Sequence, residues 1–304
     1  MDSSAGPILI TGGGGQLATD LEQLLSPERE THVVGRERLD VTDDAQVEAA
    51  FERARPTLVF NCAAFHNVDL CESEEDRSFE VNVRAVKRLA ARCAETRAKL
   101  VHLSTNYVFD GGAPEPYAET DPPNPRSIYA LSKLAGEYAA TAYCPGALVV
   151  RTAGLYGLHG SASKGGNFIT RVLDRADREG KVTMVADQRL SPTYTADLAA
   201  GLVEAVRAGC EGLLHLANGG SCSWHEFTLE IMRLADLDVP VEAVETTVRP
   251  GGADRPLNGV LAQDRARAAG LAPLRPWADA LADYMGAAGL TAGRPGAPGL
   301  PQPS

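Results

Sequence analysis

Four consecutive glycines, Gly12 to Gly15, stand between a short apolar run and an amphipathic one. That placement restricts the fold more than any other feature of the chain. Ile8-Leu9-Ile10 before them is β-branched and apolar, and reads as a buried parallel strand. Leu17, Leu21, Leu24 and Leu25 after them repeat at helical spacing. Strand, glycine turn and helix form the context that a dinucleotide-binding turn requires. Glycine permits the tight turn and lets the backbone approach a pyrophosphate, which then meets the helix N-terminus. The key positions are Gly12, Gly15 and Ala18, a G-x-x-G-x-x-A spacing rather than G-x-G-x-x-G. Gly12, Gly14, Gly15, Gln16 and Leu17 are the residues of this turn expected to contact the cofactor. A flexible linker is the competing reading, but linkers rarely join a buried strand to an amphipathic helix.

The following segment fits the same unit. Val33-Val34 reads as a second strand ending at Gly35-Arg36. Many NAD-binding folds carry an acidic residue there for the ribose hydroxyls. Arg36, with Arg38 close by, could instead pair with a 2′-phosphate, which favours NADPH over NADH. A solvated surface arginine is an equal alternative. Leu39 to Asp43 reads as a strand end running into a helix cap, with Asp40 and Val41 flanking an adenine and Asp43 as the cap. Leu58 to Ala64 is a third strand whose last residues, Cys62, Ala63 and Ala64, are small. Ligands of doubly wound sheets bind outside that end of the strands, so these residues leave room for a ribose or nicotinamide.

A second, independent signal lies further on. Ser104 and Thr105 end an apolar strand, and Tyr129 and Lys133 follow four residues apart on a helix. Residues i and i+4 share one helix face. A phenol beside an ammonium is a tunable proton donor, suited to moving a proton at a carbonyl oxygen while hydride moves at carbon. An ordinary amphipathic pair has the same spacing; the glycine turn tips the reading towards catalysis.

Strands alternating with helices predict an α/β chain with a doubly wound parallel sheet, Rossmann-like, and a smaller, sequence-discontinuous substrate-binding domain. Residues 1–153 form the dinucleotide-binding domain, to which 194–222 return. Residues 154–193 and 223–286 form the substrate part, and 287–304, rich in Gly, Ala and Pro, a disordered tail. Helices are expected over Glu75–Thr96, Ser127–Ala142, Asn167–Glu179, Thr195–Arg207 and Ser223–Leu234. A net charge of −11 without a basic block argues against nucleic acid. No apolar stretch is long enough for a membrane span, and no signal peptide is recognisable, so the cytoplasm is the expected compartment. Six scattered cysteines lack a C-x-x-C pair, and the histidines lack ligand spacing, so no metal is expected.

From Pro7 to Met285 the chain resembles the dTDP-4-dehydrorhamnose reductase family of extended short-chain dehydrogenase/reductases. The resemblance rests on ordered landmarks: Gly12–Leu17, Leu39–Asp43, Asn61–Ala64, Val68-Asp69 with Glu72, Asn82, Ser104–Gly111, Tyr129–Glu137, Arg151-Thr152, Asn167-Phe168 and Arg255-Pro256. It implies NADPH- or NADH-dependent reduction of the 4-keto group of a dTDP-6-deoxyhexose. It also implies roles. Tyr129 is the general acid; Lys133 holds the nicotinamide ribose and lowers the tyrosine pKa; Thr105 bonds the substrate oxygen. Asn82 and Ser104 join the cofactor set. Asn106, Tyr107, Val108, Phe109, Asn167 and Arg255 face the nucleotide sugar, although Asn167 also reads as a plain helix cap.

Several positions depart from the family pattern. Asn106 replaces a usual acid, Ala130 a glycine, and Arg189-Leu190-Ser191 a glycine-containing segment beside the sugar pocket, so the sugar stays open. The missing acid argues against a 4,6-dehydratase. A nucleotide-sugar epimerase remains an alternative, as does a non-catalytic regulatory subunit resembling that of methionine adenosyltransferase. A nucleotide-sugar substrate is the expected partner, and a homodimer is open.

Overall fold

The computed structural model describes residues 6–159, 166–247 and 251–291. Its centre is a six-stranded sheet of β1 (Ile8–Thr11), β2 (Thr31–Val34), β3 (Leu58–Asn61), β4 (Lys99–Thr105), β5 (Leu148–Thr152) and β10 (Gly212–His215). The spatial order is β2-β1-β3-β4-β5-β10, and every pairing is parallel. The chain leaves β1 in one direction to form β2, then returns past β1 to form β3. The switch point therefore lies between the carboxyl ends of β1 and β3, where ligands of such sheets bind.

Helices cover both faces, as buried parallel strands demand. On one face α1 (Gln16–Leu25) and α8 (Thr195–Arg207) pack Leu17, Leu21, Leu198 and Leu202 against Ile8, Ile10 and Phe60. On the other, α2 (Asp44–Ala54), α5 (Ala85–Thr96) and α6 (Ile128–Tyr143) enclose Val47, Leu89 and Ala140 with Leu9, Val59 and Leu100. Three short helices complete this region: α3 (Val68–Ser73), α4 (Glu75–Phe79) and, later in the chain, α10 (Asp264–Ala268). The last contributes Ala266 to the first core, although its segment reads from sequence as part of the smaller domain.

The remaining elements form three two-stranded pairings. β6 (Leu155–Tyr156) pairs with β9 (Thr193–Tyr194), β7 (Val182–Val185) with β12 (Val241–Val244), and β8 (Arg189–Leu190) with β11 (Cys222–Ser223). Around them pack α7 (Phe168–Glu179), α9 (Trp224–Ala235) and α11 (Trp277–Ala287), burying Tyr156, Tyr194, Phe227, Leu281 and Tyr284 together. Side-chain caps fix where helices start: Ser127 for α6, Asn167 for α7 and Ser223 for α9, the latter two as reciprocal capping boxes.

Two sequence expectations change. The helix expected over Glu75–Thr96 is broken by a π turn at Glu80–Arg84. There α6 comes so close that a Cβ on Gly136 would lie 2.3 Å from the Asn82 carbonyl oxygen. Leu39–Asp43 is a turn rather than a strand end, held by Thr42 donating to Asp40, while Asp43 caps α2. Most of the expected tail, residues 292–304, lies outside the described residues. No described helix is long and apolar enough to cross a membrane.

Candidate active site

The glycine turn sits at the switch point. Gly12 and Gly14 have φ of 77° and 79°, left-handed conformations that glycine adopts without a Cβ penalty. A Cβ on Gly12 would lie 2.8 Å from the Ala63 nitrogen, so close packing of β1 against β3 excludes any larger residue. A Cβ on Gly14 would meet nothing within 4 Å, so this side of the turn is open. Gly15 precedes α1 without a side-chain cap. The first amides of that helix, at Gln16 and Leu17, are thus left to serve an anion. An open backbone cradle at a helix start is what a dinucleotide pyrophosphate fits.

Arg36 follows β2 on the surface, with its side chain 73% exposed, and pairs with Asp40 at 3.4 Å. Hydrogen bonds from Thr42, and then Arg36, hold the Asp40 carboxyl below its ordinary range. Val41 points into the core. Beyond β3, burial pushes the Cys62 thiol up to about 12, so it stays neutral beside Ala63 and Ala64.

Two residues expected at the cofactor are committed elsewhere. Asn82 accepts from the Phe65 amide at 2.9 Å and donates to the Phe65 carbonyl at 2.9 Å and to Ser132 at 3.0 Å. It therefore fixes the loop after Ala64 instead of offering its amide to a ligand. The Ser104 hydroxyl donates to the Glu137 carboxylate at 2.5 Å, on the helix side of β4.

The expected catalytic groups converge. Thr105 ends β4; its hydroxyl accepts from the Tyr107 amide at 3.2 Å and lies close enough to the Tyr129 phenol to oppose the rise in its pKa. The Tyr107 ring meets the Tyr129 ring edge-on, with centroids 5.7 Å apart. Lys133, one turn further along α6, is 3% exposed and donates to the Leu103 carbonyl at 2.6 Å. Burial lowers the lysine to about 8 and pushes the Tyr129 phenol above its ordinary value. Burial dominates, and the Thr105 hydroxyl opposes it.

The expected sugar-facing residues divide. Arg255 lies beside the site: it hydrogen-bonds the Tyr107 phenol and donates to Asp69 at 2.7 Å. Asn106 is buried. Its Nδ2 donates to the Gly259 carbonyl at 3.0 Å, and its Oδ1 accepts from Thr105 at 3.3 Å. Val108 and Phe109 lie beneath the site with Tyr117, Leu134 and Leu261, and the Phe109 ring stacks on Tyr117 at 4.2 Å. Asn167 uses both amide protons inside the protein, on the Gly157 carbonyl at 2.8 Å and the Tyr284 hydroxyl at 2.7 Å, while its oxygen caps α7. Its role in this structure is the cap. Two participants carried no assigned role in the sequence reading: Asp69, which binds Arg255, and the Glu137–Arg151 ion pair. Glu137 repeats the Tyr129–Lys133 interval once more, which was its one local signal. Among the described residues no group of three His, Cys, Asp or Glu side chains is placed to hold a metal ion.

A six-stranded parallel sheet with an open glycine turn at its switch point, and Thr, Tyr and Lys gathered at the end of β4, defines an extended short-chain dehydrogenase/reductase. The family model for the RmlD substrate binding domain matches residues 6–289. A probable dTDP-4,6-dihydroxy-2-methyloxan-3-one 4-ketoreductase of Streptomyces antibioticus is 42% identical over 280 residues, 90% of this chain and 92% of that protein. The dTDP-4-dehydrorhamnose reductase of Streptomyces griseus is 40% identical over 298 residues, 94% of this chain and 95% of that one. The crystal structure of dTDP-4-dehydrorhamnose reductase from Bacillus anthracis in complex with NADP superposes with a TM-score of 0.87 at 33% identity, covering 92% of this chain and 98% of that one. The chain belongs to the dTDP-4-dehydrorhamnose reductase family, whose members are oxidoreductases.

Proposed function

We propose that this protein reduces the 4-keto group of a dTDP-4-keto-6-deoxyhexose, dTDP-4-dehydrorhamnose or a related sugar, with NADPH or NADH. The observation that carries the reading is the convergence of Thr105, Tyr129 and Lys133 beside the open glycine turn. Gly12 to Leu17 would hold the pyrophosphate on backbone amides, and Cys62 to Ala64 leave space for the nicotinamide end. The hydride for the carbonyl carbon comes from the reduced nicotinamide. Thr105 would turn its single hydroxyl proton from Asn106 Oδ1 to the carbonyl oxygen and stabilise charge as it develops. Tyr129 then gives that oxygen its proton. A phenol kept protonated by burial is suited to an acid's part, because it does not ionise before the oxyanion forms.

Mixing the protein with dTDP-4-dehydrorhamnose and NADPH is expected to consume nicotinamide absorbance stoichiometrically. Tight cofactor binding without turnover on any 4-keto-deoxysugar would favour the regulatory-subunit reading. Sugar conversion without net nicotinamide loss would favour an epimerase.

Two further results are expected. Arg36→Ala should weaken NADPH binding about tenfold, the worth of one charge-assisted contact, and leave NADH unchanged. Equal effects on both cofactors in a binding titration would remove the 2′-phosphate role. Lys133 is charged below about 8 and neutral above it. Cofactor affinity should therefore fall as pH rises through that value, and a flat profile from neutral pH to 10.5, the ordinary lysine value, would contradict this.

A further inference from the structure

We infer that Arg151 is a positioning residue: by holding Glu137 in a buried two-pronged ion pair, it keeps that carboxylate from drawing Lys133 away from the cofactor. This rests on the reading above, in which Lys133 serves the nicotinamide ribose. Glu137 follows Lys133 by four residues on the same face of α6, and both are buried. A lysine and a carboxylate at that spacing ordinarily pair, and burial strengthens the attraction. Here they do not. Lys133 donates to the Leu103 carbonyl at 2.6 Å.

The reason is that both carboxylate oxygens are already taken. Oε1 accepts from Arg151 Nε at 2.8 Å and from Ser104 at 2.5 Å, and Oε2 accepts from Arg151 Nη2 at 2.7 Å. The sheet itself sets this geometry, because Arg151 on β5 is the register partner of Ser104 on β4. The guanidinium is held from its other side by the Phe109 ring, 5.0 Å away. Three successive residues of β4 thus meet three turns of α6: Leu103 takes Lys133, Ser104 takes Glu137, and Thr105 lies beside Tyr129. Without Arg151, Glu137 is free to draw Lys133 from one turn away on α6, and the lysine would turn one helical turn away from Tyr129.

The other titratable groups facing this pair are His102 on β4, His215 on β10 and Cys62 after β3. Burial holds both histidines in the neutral form, helped by Lys133 for His102 and by Arg151 for His215. With Arg151 in place, neither histidine supplies a counter-charge to Glu137.

The test compares Arg151→Met, Glu137→Gln and the double variant by fluorescence titration of NADPH across pH. Arg151→Met is expected to weaken binding about tenfold, within the range for residues sharing one network, and to move the midpoint upward from about 8. Removing the freed carboxylate should reverse both effects, so the double variant returns to within about threefold of the parent. A double variant as impaired as Arg151→Met would show a purely structural role and overturn the inference, as would an Arg151→Met midpoint equal to the parent's. Should Arg151→Met not fold, Arg151→Lys keeps the charge but not the two-pronged hold. It should then give a smaller shift in the same direction, again reversed by Glu137→Gln, and no shift would count against the inference. Parent protein that binds NADPH with this pH dependence yet reduces no 4-keto sugar would sink the proposed function alone. Parent protein that binds NADPH without it would sink this inference.

Discussion

Tyr129→Phe is expected to lower turnover of the 4-keto sugar by about a hundred- to ten-thousand-fold, the usual contribution of a positioned general acid. NADPH affinity should change little. The substitution removes one hydroxyl and keeps the ring, so the edge-on contact with Tyr107 survives. Lys133 keeps its bond to the Leu103 carbonyl, because that bond does not involve the phenol. The Thr105 hydroxyl loses a neighbour but retains the Tyr107 amide and Asn106. The loss should therefore fall on kcat rather than on KM for either ligand, as it does when an interaction belongs to the transition state alone. Steady-state kinetics with both substrates varied would check it. A variant within a few-fold of the parent would mean that another donor, with Thr105 the nearest, supplies the proton.

Gly12→Ala should cost both stability and cofactor affinity. Two costs add. A non-glycine residue in the left-handed region is disfavoured by about 1–2 kcal/mol. The new methyl would also lie 2.8 Å from the Ala63 nitrogen and the Cys62 carbonyl carbon, and overpacking of this kind costs about 1–3 kcal/mol. The obstacle is the main chain just beyond β3, not a side chain that can rotate away. To relieve it, β1 must move from β3, which widens the switch point and tilts the start of α1. Urea unfolding should show a loss of about 2–5 kcal/mol, the sum of those ranges, and NADPH titration a loss of affinity. Gly14→Ala meets the same φ penalty but open space, so its stability loss should be the smaller of the two. Equal losses would mean that the β1–β3 contact is unimportant.

What the sequence disclosed follows from the range of the interactions involved. The glycine turn and the Tyr129–Lys133 pair are local patterns, decided by neighbours within a helical turn, and both stand where the spacing put them. Partners distant in sequence were not legible. Glu137 looks like any helical carboxylate until β5 is placed beside β4 and Arg151 falls opposite Ser104. Asp69 and Arg255 meet across a separation of 186 residues. Strands of two residues, such as β6, β8, β9 and β11, are too short to show alternation. The scaffold partners of Asn82 and Ser104 were out of reach for a related reason. A polar residue near a cofactor cleft can face the ligand or the scaffold, and composition does not say which.

The bond between Asn106 and the Gly259 carbonyl carries a lesson for redesign. A carboxylate at position 106 would set oxygen against oxygen, because only the amide nitrogen can donate to that carbonyl. A Cβ at position 259 would collide with the same nitrogen. The two sites, 153 residues apart, are therefore one unit of inheritance. A library should thus vary the two positions together, whatever sugar it is meant to accommodate.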